Sequence, residues 1–344
     1  MSVLNPKNGY IYDLSDVYNV TNTENLILSS LDLFNVETHQ RNRIAIDKMI
    51  AKSQQMLLEN KQEVHSDFNT TERQFGSSYL YQMIYHSAID SVTSRDVEKY
   101  LAKNSNDVAQ TIDYVVVEFA VEQANAYRRT KEQLLRDALL GGVAKSKYAE
   151  QGDLNFYTEF GQSKTEVKID AAETANIPEQ LDTVWRTIRG VTSEQAGNLQ
   201  GVTVLCSGKL ASALKYHASI TQAMMFMGFN SPDNFYTQYT EMLPGYSVWK
   251  FKNFTFVDVT GDKGIEDYIG ADGAVFIPRF NESSGVYTLH TGVGVKSAYQ
   301  GKELGEVHQY MVQDERFGYP SVVFESATLP INHLPQAIVF ASVA

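Results

Sequence analysis

The chain of 344 residues has one cysteine, Cys206, so no intrachain disulfide can form. Proline and glycine are also scarce, at 8 and 22, which excludes a fibrous or linker-rich protein. No apolar run approaches the ~18 residues that a membrane span needs. Basic residues are outnumbered, 29 Lys and Arg against 41 Asp and Glu, for a net charge of −12. That balance disfavours general binding to nucleic acid or to an anionic membrane surface. The opening MSVLNPKNGYIYD has none of the basic, apolar or small-residue regions of a secretory signal. A soluble protein made in a cytoplasm is expected.

Site chemistry is missing as well. The seven histidines are His39, His65, His86, His217, His290, His308 and His333. None has a second His or Cys at helix or finger spacing, and HExxH and CxxC are absent, so a structural role is expected for each and no metal site. Cys206 ends a predicted strand before Ser207-Gly208 and a helix. A thiol at a helix start can be activated, but neither Lys209 nor His217 completes a triad, and a small buried apolar Cys is expected. The same junction fails as a phosphate loop, because Thr203 stands where the first Gly belongs and Leu210 where Ser or Thr belongs. Gly292 and Gly294 start a dinucleotide-type pattern that fails at Ser297. There is no GxSxG elbow, no kinase set and no defensible acid–base carboxylate pair. The sequence therefore predicts no catalytic residue, no cofactor and no metal.

What is present is apolar, aromatic and long. Apolar residues make up 43% of the chain, enough for a large core, with 20 Tyr, 17 Phe and 2 Trp. The dominant stretch is Ser105–Leu140, read as one helix of about 54 Å at 1.5 Å per residue. Ser105, Asn106 and Asp107 are candidate caps, and Gly141 or Gly142 a left-handed stop. Apolar residues recur at helical spacing at Ile112, Val115, Val116, Phe119 and Ala120, then at Leu134, Leu135, Ala138 and Leu139. Its polar middle, Gln123 to Arg129, is the expected place for contacts with the loop at residues 36–92.

Around this helix the chain reads in order. Residues 1–35 form a polar arm with an apolar patch, Leu26, Ile27, Leu28, Leu31, Leu33 and Phe34, that docks on its own subunit or another. Residues 36–92 are too long for an ordinary loop, and are either an extended excursion covered by something else or a mobile segment. Thr93–Asp96 reads as a turn and cap. Residues 148–170 read as a long hairpin turning near Gly161, followed by a helix with Pro178 at its first position and Gly190 closing it. Residues 201–315 read as an α/β unit, with a strand at VTVLCS, a helix at GKLASALKYHASI and a hairpin turning at Lys252-Asn253. The tail supplies strands near Val322–Glu325 and Ala337–Ser342.

This order resembles the HK97-fold major capsid proteins of tailed phages, and more closely the lambda E-like capsid family. The resemblance is carried by IDSVTSRDVEKYLA, the Ser105–Leu140 helix with its GG stop, VTVLCSGKLASALKYHASI, FIPRFNESSGVYTLHTGVG and RFGYPSVVFESATLPINHLPQAIVFASVA. It implies an α+β fold with an N-terminal arm (1–35), an extended E-loop (36–92) and a peripheral domain (93–200) holding the spine helix and long hairpin. An α/β axial domain (201–315) and C-terminal strands returning to the peripheral domain (316–344) complete it. It implies a non-enzymatic subunit that builds hexamers and pentamers of an icosahedral shell around double-stranded DNA, without sequence-specific DNA binding and without a membrane. A separate scaffolding protein, a portal and a decoration protein are the implied partners. The virion is the implied location, with assembly in the host cytoplasm. The alternatives are a cellular nanocompartment shell of the same fold, a tail component, or an α/β enzyme built around Cys206.

Overall fold

The computed structural model describes residues 11–20, 26–47, 78–104, 108–146, 152–226, 243, 245–294, 305–313 and 318–344. The N-terminal part holds β1 (Ile11–Asp13), α1 (Ser15–Val20), α2 (Ile27–Ser30), β2 (Asn35–Thr38), β3 (Arg43–Asp47), β4 (Ser78–Gln82) and β5 (Ile84–Ser91). Two helices follow, α3 (Ser94–Asn104) and α4 (Val108–Arg136), and α4 ends in a π turn, Asp137–Gly141. Next come β6 (Val143–Ala144), β7 (Leu154–Asn155), α5 (Phe156–Phe160), β8 (Thr165–Ile169), α6 (Ile177–Val191), β9 (Leu199–Cys206), α7 (Gly208–Tyr216) and α8 (Ala218–Phe226). The last part comprises β10 (Ser247–Phe251), β11 (Phe254–Asp258), α9 (Lys263–Ile269), β12 (Gly273–Phe280), β13 (Tyr287–Thr291), β14 (His308–Gln313), β15 (Pro320–Asn332) and β16 (Val339–Val343).

Two six-stranded sheets carry the fold. The first runs β1-β14-β15-β13-β2, with β5 on the other side of β15. β15 is its axis. One edge pairs with β5, while the other pairs first with β14 and then with β13. Residues 322–332 are buried without a break, as expected of a strand covered on both faces. Val322, Phe324 and Ser326, alternating along β15, contact the long helix α4 through Gln123 and Tyr127.

The second sheet runs β10-β11-β9-β12-β16-β8. Alternation sorts its two faces into different cores. Val204, Cys206, Phe256, Phe276 and Ala341 pack with Leu181, Val184 and Ile188 of α6 and with Leu210 and Leu214 of α7. Leu205, Val257, Val275, Ile277 and Phe340 point the other way, into a core shared with Leu134, Leu135, Ala138 and Leu139 of the long helix. That core also takes Ile27, Leu28, Leu31 and Phe34, so the apolar patch of the arm docks on its own chain. A third core, Leu14, Val92, Val97, Val115, Val116, Ala120 and Val322, seats the start of the helix.

Several expectations are corrected. The helix is α-helical from Val108 to Arg136, and the proposed caps at 105–107 lie outside the described residues. Its stop is Gly142, at φ 64°, and a side chain there would also run into the Tyr157 ring. The long hairpin at 148–170 does not form among the described residues. β7 pairs with β6, residues 156–160 coil into a helix capped by Asn155, and β8 pairs in parallel with β16 instead. The alternation at Leu154 and Phe156 resembled a strand because both are buried, Leu154 in a two-residue strand and Phe156 on the helix.

The excursion at 36–92 is narrower than expected. β2 belongs to the first sheet through β13 and β5 through β15, leaving β3 and β4 as a separate two-stranded ribbon. Residues 48–77 lie outside the described residues. The unit at 201–315 is also shorter, because β13 and β14 pair in the first sheet. The tail divides. β15 returns to the first sheet, while β16 enters the second between β12 and β8. The helix at GKLASALKYHASI breaks at His217, whose backbone turns to φ −58°, ψ 139° and whose ring bonds Ser219 Oγ and the Ala172 carbonyl. Gly190 does not end α6, which runs to Val191. The cap at Thr93 is as expected, with the Thr93 hydroxyl donating to Asp96 at 2.6 Å and the Thr93 amide to the same carboxylate. Lys252, at φ 52°, turns the β10–β11 hairpin at the expected place.

Candidate functional site

The polar residues of the long helix are the densest chemistry in the fold, and their partners lie in their own chain. Gln123 donates to Asp90 Oδ2 at 2.7 Å and to the Val322 carbonyl at 3.1 Å. Gln309, fully buried, donates to the Ala120 carbonyl and to Gln123. The Tyr127 hydroxyl accepts from Ser326 Oγ at 2.8 Å and donates to Glu306 at 3.2 Å, and burial pushes its ionisation well above the ordinary range. Arg128 donates to Asn125 and to the Tyr18 carbonyl, with its guanidinium over the Tyr18 ring. Lys131 pairs with Glu306 at 2.8 Å. At the helix end, Asp137 accepts from Tyr268 at 2.5 Å and from Lys145 at 2.7 Å.

The segment Gln123–Arg129 is the expected place for contacts with residues 36–92, and Gln123 makes one to Asp90 of β5 while the Tyr127 ring lies near that of His86. Its buried members also bind β15 and the N-terminal part, Gln123 through Val322, Tyr127 through Ser326 and Arg128 through Tyr18. A buried polar group carries a penalty unless it is bonded, so this network locks helix, sheet and arm into one frame. Among the described residues the exposed large apolar side chains lie elsewhere: Leu80 on the ribbon, Tyr85 and Ile89 on β5, Val36 on β2, Tyr114 and Val117 near the helix start, Tyr216 at the end of α7 and Tyr319 before β15.

Cys206 is fully buried, burial raises its thiol pKa, and its Sγ lies 3.5 Å from the Val257 carbonyl. A thiol so enclosed is not set up as a nucleophile, so Cys206 lends no support to the enzyme reading. Gly208 sits at φ 58° against the Ala271 carbonyl and Asp272, where a side chain would clash, so its role is close packing of the β9–α7 turn. Gly292 and Gly294 follow β13 and pack against Met83 and against His308 and Glu325. A cavity of about 290 Å³ between β2 and the turn after β12 has no His, Cys or Lys in its lining.

Spacing in the sequence pointed to no metal ligands, but the fold gathers three residues that spacing could not connect. Glu37, His39 and His290 place a ligand atom each within 4.8 Å of one another. Burial lowers the pKa of His290 to about 3, with the neighbouring His39 and His333 adding to the shift. The parallel pairing of β2 with β13 makes this cluster, and that pairing was not legible in the sequence.

The comparisons with known proteins agree with this architecture. Among solved structures, a protein assigned as the capsid protein of a prophage of E. coli CFT073 superposes with a TM-score of 0.54 at 14% identity, covering 96% of this chain and 98% of its own. A phage-related protein of Bordetella bronchiseptica RB50 gives 0.45 at 12%, covering 95% of each chain. A Mycobacterium phage Che8 chain gives 0.44 at 11%, covering 99% and 95%. At such identities the likeness to the first is one of fold. No curated protein sequence matches the chain. The family model for phage major capsid protein E matches residues 11–343. With that match over nearly its whole length, and with the α+β, HK97-like capsid fold described above, the chain belongs to the phage major capsid protein E family and is a structural protein of the phage head.

Proposed function

We propose that the chain builds the icosahedral head by self-association into hexamers and pentamers, encloses double-stranded DNA without reading its sequence, and catalyses no reaction. The observation that carries this is the β3–β4 ribbon. Among the described residues it pairs with no other sheet, and it presents Leu80 at 55% exposure. A two-stranded ribbon is marginal in water unless another surface covers it. Gln123, Tyr127, Arg128 and Gln309 tie the long helix to the first sheet and the arm from inside, and the ribbon is what this frame offers to a neighbour.

In this reading the arm ends near Phe34, the E-loop is the β3–β4 ribbon with the residues between its strands, and the peripheral domain is the first sheet with the long helix. The axial domain is the second sheet with α6 to α9. A separate scaffolding protein, a portal and a decoration protein are the expected partners, and assembly takes place in the host cytoplasm. The net charge of −12 supports packaging without adhesion between wall and genome.

Electron microscopy of the purified chain, alone and with its scaffold, tests the reading, with shells, rings or tubes as the expected result. Deleting residues 55–75, which lie outside the described residues, should leave subunits folded and impair shell formation. Loss of the folded subunit would place that segment in the core, and a lasting monomer of the intact chain with its scaffold would overturn the proposal.

A further inference from the structure

Three constraints converge on Glu37, His39 and His290. β2 and β13 pair in parallel with Glu37 opposite His290. Alternation along extended backbone puts Glu37 and His39 on one face. The His39 amide donates to the Thr291 carbonyl at 2.8 Å, which keeps His39 in line with the strand. As a result, His39 Nε2 lies 2.9 Å from His290 Nδ1, and Glu37 Oε2 lies 3.5 Å from the same nitrogen.

The other ring nitrogen of His290 is also engaged. His290 Nε2 lies 3.1 Å from Thr288 Oγ1, which lies 3.4 Å from His333 Nε2. With the proton on Nε2 donated to Thr288, the Nδ1 lone pair faces Glu37 and His39. An oriented imidazole whose far nitrogen is held by a partner is how a ligating histidine is usually set. Two imidazole nitrogens and a carboxylate oxygen then face one point, three electron-pair donors with too few protons to satisfy them all.

We propose that Glu37, His39 and His290 form a binding site for a divalent transition-metal ion of the zinc class. Imidazole donors favour zinc, cobalt, nickel or copper over magnesium and calcium, which take oxygen shells. At a zinc–nitrogen distance of about 2.0–2.1 Å, nitrogens 2.9 Å apart subtend about 90° at the ion, and a separation of about 3.3 Å gives a tetrahedral angle. The site therefore closes on zinc with a shift of a few tenths of an ångström. The Glu37 side chain is 44% exposed, so the remaining position opens to solvent, where water completes the shell. β2 is the end strand of the first sheet and leads directly into the ribbon strand β3. The ion fastens the root of that ribbon to β13.

The test is a zinc titration of untagged, chelator-treated full-length protein by calorimetry, with cobalt(II) absorption as a second readout. One ion per chain is expected, and zinc should raise the melting temperature. Glu37→Gln and His39→Gln should each weaken zinc binding at least about tenfold. Both residues are half-buried, so the metal-free variants should melt with the parent. Visible cobalt bands lost on adding zinc would show that both ions take the same low-coordinate site, and their loss in His39→Gln would assign the imidazole. Absence of saturable zinc binding by the parent, or equal affinity in His39→Gln, would overturn the site.

Discussion

The Glu132 carboxylate accepts the backbone N–H of Leu28 at 2.9 Å, across 104 residues of sequence. It also accepts the Ser29 amide at 2.9 Å and the Ser29 hydroxyl at 2.8 Å. α2 has only four residues, and its own N-cap, Leu26, offers no side-chain acceptor. The long helix therefore supplies the cap that the short one lacks, and a buried carboxylate at a helix start is doubly favoured by hydrogen bonding and by the local dipole.

Glu132→Gln leaves one of these donors unmatched in a buried place and removes the charge. The expected loss is about 2–3 kcal/mol in chemical denaturation of the subunit. Limited proteolysis should also cut faster between residues 26 and 34, since the cap holds that segment. An unchanged denaturation midpoint would show that the cap contributes nothing.

Gly142→Ala should destabilise by more than the ~1 kcal/mol of an ordinary left-handed glycine, because the new methyl group meets the Tyr157 ring. A double-mutant cycle separates the two causes. In a Tyr157→Ala background the penalty of Gly142→Ala should shrink to the backbone part alone. Equal penalties in both backgrounds would remove Tyr157 from the account.

Acid should weaken the unassembled subunit through its buried histidines. Burial lowers His333 from 6.5 to about 4, and its Nδ1 has no partner. The folded pKa lies below the unfolded one, so the unfolded chain takes up the proton first as pH falls. The contribution is complete above about pH 6.5 and declines from there to about pH 4, by up to ~3 kcal/mol. Stability measured between pH 7 and 4 should fall less steeply in His333→Gln than in the parent. Identical slopes would mean that His333 titrates normally in the fold.

Leu80→Asp and Ile89→Asp test the exposed faces of β4 and β5. The two residues are 55% and 64% exposed, so either change should alter subunit stability by less than about 0.5 kcal/mol. Shell yield by sedimentation and microscopy should drop sharply if these faces meet neighbours. Normal shells from both variants would move the contact surface elsewhere.

Much of this was written locally. The Thr93 cap, the apolar stripe of the long helix, the glycine that ends it and the Lys252-Asn253 turn all act within a few residues, so spacing and residue type reveal them. The failures share a cause. Leu154 and Phe156 alternate like a strand, yet the capping Asn155 and the left-handed Gly161 wind the residues between them into a helix. Tyr287–Thr291 lies within the stretch read as an α/β unit, but β15 draws it into the first sheet. His217 keeps helical register in sequence and still breaks the helix, because Ala172 and Ser219 bind its ring.

By itself the sequence determined the long helix and its stop, the buried character of Cys206 and the absence of site motifs, because composition and near-neighbour spacing encode these, while the family was legible only as a resemblance in the order of its parts. The tertiary structure alone decided strand partners, the fate of the helix's polar middle, the Glu132 cap and the cluster of Glu37, His39 and His290. Each depends on contacts between residues far apart in the chain, such as the 251 positions that separate His39 from His290. Such contacts form only when sheet pairing has brought distant strands together, and no local pattern in the chain records which strands will meet.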